Sequence, residues 1–575
     1  MDKYTEVQDW LCRVSEAEKV RDNADAVYGY TRALKEYRGQ YAEVMPSFLK
    51  DTAIVPINEV YGYVKAFIPS VYSRNPYVAF NAKGRKSIAA SKLLEAGVNA
   101  YWRELRLKRQ IRRCIFDAIF AEGWMKTGYS ASFGSIDPKE GETPIESNEF
   151  IRDEEIFSIR VSWKHMVKDP DAVDGIHDAR WVAQKIIRPL SAVKSCGLYT
   201  AKDISATSIV KAGESTRAED EEMLEYWEVW DADSKMVYWV STGCQEYMRE
   251  PEKWPHKYDG YPYDLLRFNE DSDEPYAPNL ICAWEPQLWE KIKIRSMQLD
   301  HAKRFNRQMA IPKGSMDQAE KEKFSRGDTG ALIEFEGQVP PSPIQYPQIQ
   351  TDIYAIENRI DMDKDNISGQ PNVVRSAPQK TQTRTLGELQ TMISSFQFRQ
   401  VDPKSEVEDF CGEVAYKIAA NMQQHLSGER FATVSQQDLN MLREAFGPER
   451  WDGHRFRFSQ KDIQDAEFET EVKVGSTLPL DPQGRTEAMV NIMKLGPSIG
   501  IGPNSKLASV AGKNIIEQFE LKELDQAYEE DLATRANMEK LARVAAMAKQ
   551  GMIEDKLANV RGQIEAGGEV PGEMQ

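Results

Sequence analysis

Cysteine is scarce in this chain. Its 575 residues include six, Cys12, Cys114, Cys196, Cys244, Cys282 and Cys411, with no Cys-x-x-Cys among them. That excludes a zinc ribbon or a disulfide framework and predicts free, mostly buried thiols. Histidine is equally sparse: His165, His177, His256, His301, His425 and His454 stand apart, and no His-Glu-x-x-His occurs. Packing or surface roles are expected for them, with no metal, cofactor or catalytic site. No stretch fits Gly-x-x-x-x-Gly-Lys-Ser/Thr, since Gly512-Lys513 lacks both the upstream Gly and the following hydroxyl; ATP hydrolysis is not expected. No window approaches the roughly 20 apolar residues of a membrane helix, and MDKYTEVQDW lacks the charged-then-apolar pattern of a signal peptide. A soluble, cytosolic protein without membrane insertion is the expectation. Basic charge is in deficit too: 74 Lys+Arg against 91 Asp+Glu leave a net −17, which excludes a surface coated for non-specific duplex binding but leaves room for a local basic patch.

What the chain does have is enough apolar surface for packed cores, with 41% hydrophobic and 10% aromatic residues, and a length that predicts two to four domains or one fold with large insertions. From Tyr4 to about Leu49 the apolar residues fall at helical spacing, and Ile57 to Val71 is a second amphipathic run, stopped by Pro69. After Asn75-Pro76, Tyr77 to Phe80 reads as a short strand, and one long helix is expected from Ser87 to about Ala121. Within Lys83 to Arg113 there are ten basic residues and two acidic ones, Glu95 and Glu104. Phosphate contact, a solvated helix face and a stripe that knits acidic subunits together are the available readings, and the last two fit an acidic protein better.

From Ile151 to about Phe268 the pattern becomes β-rich: FSIRVSW, ARWVAQKII, and YWEVWDADSKMVYWV, where two aromatic runs flank a turn at Asp231 to Lys235. Pro286 suits the first turn of a helix that carries Leu288, Ile292, Leu299 and Ala302 on one side and Lys291, Lys293, Arg295, Lys303, Arg304 and Arg307 on the other. An insert follows, with a polar helix at Met316 to Phe324, a turn at Arg326 to Gly330, the strand ALIEF and the exit Val339-Pro340-Pro341-Ser342-Pro343. A second helix starts near Thr351-Asp352, with Ile353, Ile356, Ile360 and Ile367 on its apolar side and Asp352, Glu357, Asp361, Asp363 and Asp365 as its acids. The basic and acidic helices read as neighbours, within one chain or between copies. DMDKDNISG imitates the start of a calcium loop, but Asn366 stands where glycine is needed and Asn372 where glutamate is.

GQPNVVRSAPQKTQT has no apolar period and reads as a loop; with the residue that follows it carries Arg375, Lys380 and Arg384 and no acid. Leu386 to His425 is helical, broken or kinked near Pro403. Strands at Phe456 to Phe458 and Phe468 to Val474 precede a helical C-terminal part and a tail rich in glycine.

This order of elements resembles the portal protein of tailed double-stranded DNA bacteriophages over nearly the whole chain. The stretches that carry the resemblance are VYGYVKAFIPSVYSRNPYVAF with the following helix and IFDAIFAEGWMKTGY, then ISGQPNVVRS with TRTLGELQTMISSFQFR, then VKVGSTLPLDPQGRTEAMVNIMKLG. It implies an α+β, mainly helical portal fold assembled as a ring. Residues 1–284 and 385–480 would form the wing, 285–308 and 350–368 the paired stem helices, 309–349 the clip, 369–384 the tunnel loop, 481–562 the crown and 563–575 a flexible tail.

The resemblance further implies a homo-oligomer of about 12 copies, closed by heterologous interfaces, at one vertex of the virion capsid after assembly in the host cytoplasm. Its partners would be the packaged and ejected double-stranded DNA, a large terminase that supplies the motor, a head-completion or adaptor protein, and the major capsid and scaffolding proteins. Lys291, Arg295, Arg304, Arg307, Asp361 and Asp365 would set the stem interface, and Arg375, Lys380 and Arg384 would touch DNA in the channel. The rival readings are a metal-dependent phage nuclease built on Asp361 to Asp365 and a minor capsid or scaffolding protein.

Overall fold

The computed structural model describes residues 3–46, 55–136, 145–210, 220–307, 309–326, 352–369, 398–434, 436–453 and 455–472, with isolated positions between them. All belong to the first of two units, Met1–Pro479. Most of ALIEF, the loop from 370 to 384, the helix expected from Leu386 to 395, and the expected crown and tail lie outside the described residues. The described part mixes helix and sheet, an α+β arrangement, and no helix in it is long and apolar enough to cross a membrane.

Among the described residues, helices α1 (Lys3–Tyr28), α2 (Tyr30–Tyr37), α3 (Tyr41–Val44) and α4 (Glu59–Val71) come first. Gly29, at φ 71°, makes the bend between α1 and α2, a backbone conformation open to it because it has no Cβ. Asn58 starts α4 by accepting from the Tyr61 N–H. Pro69 does not stop this helix: it continues to Val71 and the Tyr72 N–H still bonds Ile68 O, because Val71 and Tyr72 are both fully buried and their packing outweighs the one lost backbone bond.

Strand β1 (Val78–Ala82) leads to α5 (Ile88–Glu104) and α6 (Leu107–Phe120). The single helix expected here is two, broken at Arg106, a non-glycine residue at φ 52°. The bend lets α5 bury Leu93, Leu94, Val98 and Trp102 and α6 bury Leu107, Ile111, Cys114 and Ile115 in one core. That burial exceeds the roughly 1–2 kcal/mol of a left-handed residue.

Strands β2 (Gly123–Ile136) and β3 (Ile145–Val161) form a long antiparallel hairpin. Gly123 admits it: a Cβ there would sit 2.4 Å from the Cys114 carbonyl oxygen. A second antiparallel sheet holds β4 (Met166–Lys168), β5 (Trp181–Pro189), β6 (Ser208–Val210), β7 (Glu221–Asp231), β8 (Met236–Val240) and β9 (Arg249–Lys253), in the order β4-β5-β7-β8-β9 with β6 also on β7; α7 (Leu190–Ser195) follows β5. The turn expected at Asp231 to Lys235 joins β7 to β8. Helix α1 lays Val7, Trp10, Val14 and Ala17 against Val167, Trp181, Trp227 and Val229 of this sheet. Strand β10 (Tyr263–Leu266) completes the first sheet beside β2.

Then come α8 (Glu285–Arg307), β11 (Met309–Ala310), α9 (Gln318–Arg326), β12 (Ser342–Pro343) and α10 (Asp352–Ser368). After them α11 (Val401–His425), β13 (Arg430–Ala432), α12 (Gln436–Phe446), β14 (Phe456–Phe458), α13 (Gln460–Ile463) and β15 (Phe468–Val472) return to the main core. Pro403 lies in the first turn of α11, where its missing N–H has no helical partner to lose. Strand β15 pairs antiparallel with β1, Val78 opposite Val472. Lys417 of α11 donates to Asp264 Oδ1 and Tyr263 O, 2.5 Å each, and so ties α11 to β10. Burial pushes the Asp264 carboxyl up, against the pull of Lys417. Of the six free thiols, only Cys114, Cys244 and Cys411 are buried. Cys12 faces out from the amphipathic α1 and Cys196 caps the short α7 at the surface, so the expected burial holds for half of them.

One buried carboxyl pair joins α2 to the start of α8. Arg32 donates to both oxygens of Glu285, at 2.5 and 2.6 Å, and Glu36 lies fully buried beside it. Burial first, then the Glu285 charge, push the Glu36 carboxyl up to about 9, so it keeps its proton at neutral pH. A raised folded-state pKa makes stability greatest below the ordinary glutamate range and erodes it as pH rises toward the folded value. Glu36→Gln, neutral at every pH, should therefore raise the melting temperature at pH 8 by several degrees and shift it little at pH 4, the gap widening by up to about 1.4 kcal/mol per pH unit between. Melts across that range check it, and an equal shift at both ends would contradict it.

Candidate functional site at the paired charged helices

Helices α8 and α10 lie side by side and antiparallel, with Lys291 meeting Asp361 at 2.5 Å and, one turn further along α8, Arg295 meeting Glu357 at 3.5 Å. Gln298 also reaches Glu357, at 3.2 Å. The basic face of one helix therefore turns to the acidic face of the other within a single chain.

The centre of the contact is a four-charge cluster. Glu59, in the first turn of α4, accepts from Lys291 at 2.8 Å and from Lys364 of α10; Lys364 also reaches Asp361 at 2.8 Å. The Lys364 side chain is 1% exposed, and those of Glu59 and Lys291 are 14% and 13% exposed. Burial alone would push the Glu59 and Asp361 carboxyls up, but the two lysines together hold both below the usual carboxylate range. Burial likewise disfavours the Lys291 ammonium, and the two acids override it and raise its pKa. Each ion is desolvated and each is satisfied by two opposite charges, the condition under which a buried pair is tolerable.

Of the residues singled out in the sequence, the structure brings Lys291 and Asp361 together and gives Arg295 a different partner, Glu357. Asp365 lies one turn past Asp361 on α10, partly buried. Arg304 and Arg307 lie further along α8, their side chains outside the described residues, as are Arg375, Lys380 and Arg384 altogether. Sequence reasoning missed Glu59 and Lys364. A signal for Lys364 existed: it falls four residues after Ile360, on the apolar side of an otherwise acidic helix, where a lysine has to find carboxylates.

The apolar stripes of the two helices are only partly covered. On α8, Leu288 and Ile292 are fully buried in the main core, whereas Met297, Leu299 and Ala302 are exposed. On α10, Ile360 is buried, while Tyr354, Ile356, Met362 and Ile367 are exposed. Between the helices the described residues include the antiparallel pair β11–β12. No family model and no curated protein matches this chain.

Glu59→Ala would leave two nearly buried ammonium groups facing each other with Asp361 alone between them. The expected cost is about 3–5 kcal/mol, read as a lower denaturation midpoint. Because the folded pKa values of Glu59 and Asp361 are depressed, the stabilisation is present above their ordinary range and is lost as pH falls through it. The wild type should thus lose stability below about pH 4.5 more steeply than Glu59→Gln does.

Proposed function

We propose that the chain is the subunit of a ring-shaped conduit for double-stranded DNA, a portal of the tailed-bacteriophage kind, with α8 and α10 as its stem. The observation that carries the reading is the set of large apolar side chains, Met297, Leu299, Tyr354, Ile356, Met362 and Ile367, left exposed on different sides of two helices that are already paired with each other. A helix pair with that much open apolar surface calls for another macromolecular surface against it. A closed ring of identical copies supplies one by repeating a single heterologous contact.

The sequence resemblance to portals supports the same assignment, with the insert between the stem helices as the clip and the segment after α10 as the tunnel loop. In that reading the net charge of −17 keeps the duplex from sticking to the wall, and Arg375, Lys380 and Arg384 guide it at the narrowest point. A separate large terminase drives packaging, and a head-completion or adaptor protein docks on the finished ring. The calcium-like run 361–365 has a simpler use than metal-dependent nuclease chemistry, since Asp361 is engaged by two lysines.

Negative-stain images should show rings with a central hole, and native mass spectrometry a species near 790 kDa, about 12 copies of the 65.6 kDa chain. Monomer or dimer alone at micromolar concentration would sink the proposal. Leu299→Glu combined with Ile356→Glu should dissolve the rings while leaving the subunit's stability within about 1 kcal/mol, because both side chains already face water in the single chain. With Arg375, Lys380 and Arg384 all changed to Ala, virions should incorporate the protein normally and retain less DNA; normal retention would remove the channel assignment of those three.

A further inference from the structure

A shallow, largely open depression of about 650 Å³, its arginines exposed to solvent, lies where α4, α5 and α6 meet. Lys65 of α4, Arg103 at the end of α5 and Arg106 at the bend line one part of it, and Lys108, Arg109, Arg112 and Arg113 of α6 line the rest. The remaining wall comes from Ile68, Asn75, Trp102 and Phe116. Among the described residues its lining holds seven cationic side chains and no acidic one. Among the described residues none of the seven forms an ion pair: Glu104, between Arg103 and Arg106, is exposed, Glu95 pairs with Lys92 at 2.8 Å, and Asp117, though it feels the Arg113 charge, pairs with Arg160 at 2.5 Å.

This arrangement runs against the local electrostatics. Helix α6 has no acid in its first turn and no side-chain cap, so its free N–H groups and the positive end of its dipole add to the cations instead of offsetting them. Like charges three and four residues apart on a helix repel. A bound anion relieves both effects at once. Five of the seven cations are arginines, whose planar forks grip phosphate oxygens in pairs. The depression has the size of a small-ligand site, and balancing so many charges in that space takes the densest biological anion. Adjacent phosphates supply several charges there, whereas an acidic peptide spreads its carboxylates along a bulkier backbone.

We infer that the depression at the α5–α6 bend binds an anion carrying several adjacent phosphates, either a free polyphosphate or a stretch of nucleic-acid backbone. The inference stands apart from the conduit reading, since it uses none of the residues on α8, α10 or the loop after them.

The test uses the full chain, with Arg103→Gln, Arg109→Gln and Arg112→Gln combined, Arg109→Gln alone, and the surface control Lys19→Gln with Lys253→Gln. Calorimetric titration with tripolyphosphate should saturate at one per chain in the wild type and the control. Binding should weaken at least about 30-fold in the triple variant and by less in the single one. Tripolyphosphate should also raise the melting temperature of the wild type and not of the triple variant. In the second arm, a fluorescent 20-base-pair duplex that is displaced by tripolyphosphate, with the slope of log affinity against log salt falling by about 3 in the triple variant, identifies nucleic acid as the source. Tripolyphosphate binding without duplex binding identifies a free polyphosphate. The inference is overturned if neither probe binds the wild type, or if the triple variant binds both as well as the wild type does. Loss of self-association in the triple variant, with no binding of either probe to the wild type, would assign the depression to an acidic face of a neighbouring copy and overturn it equally.

Discussion

An ammonium group shut away from water has to be met by carboxylates in place, or the helix that carries it cannot dock. Lys364 is in that position, and Glu59 and Asp361 meet the requirement. Glu59 belongs to α4, whose Val60, Val64 and Phe67 are part of the main core, so the ion cluster joins α10 to the body of the protein. Among the described residues α10 adds few buried apolar anchors to this, since of its four isoleucines only Ile360 is buried. Apolar contact would tolerate sliding of one helix along the other. Four charges that must alternate in sign do not, and they fix the register of α8 against α10.

Much of this was legible in the sequence, and the reasons divide cleanly. The β7–β8 hairpin announced itself through two aromatic β-runs around Asp231 to Lys235, and α8 through Pro286 and the spacing of Leu288 and Ile292; both are local patterns. The complementary charge of α8 and α10 was also visible. The break at Arg106 was not, because neither glycine nor proline marks it and the bend is set by the core that Trp102 and Leu107 share. Glu59 escaped notice since nothing near it in sequence shows that α4 lies beside α10. Contacts made across hundreds of residues leave no mark on either segment alone.

The net charge conceals how the charge is arranged. The cations at the α5–α6 bend outnumber the acids near them and form no ion pair among the described residues, while at the N-terminal half of α11 the acids crowd one another. There burial, then the neighbouring charges of Glu270, Asp409 and Asp402, push the Glu406 carboxyl up. A protein that distributed its charges evenly would lower its own electrostatic energy, so keeping them apart is a cost that folding alone does not reward.

The pairing of β1 with β15 sets a timetable for synthesis. Val78 finds its partner only when Val472 has left the ribosome, which at about 5–20 residues per second is roughly 20–80 s later. Throughout that interval the apolar segment Val78 to Phe80 has an unsatisfied backbone edge, which other nascent chains can join as readily as β15 can. Chains translated close together on one message are then exposed to exchange of their β15 segments, and slow translation of the intervening residues lengthens the exposure. The yield of correctly folded chains thus depends on the speed and spacing of ribosomes, a demand fixed by where two five-residue strands fall in the sequence.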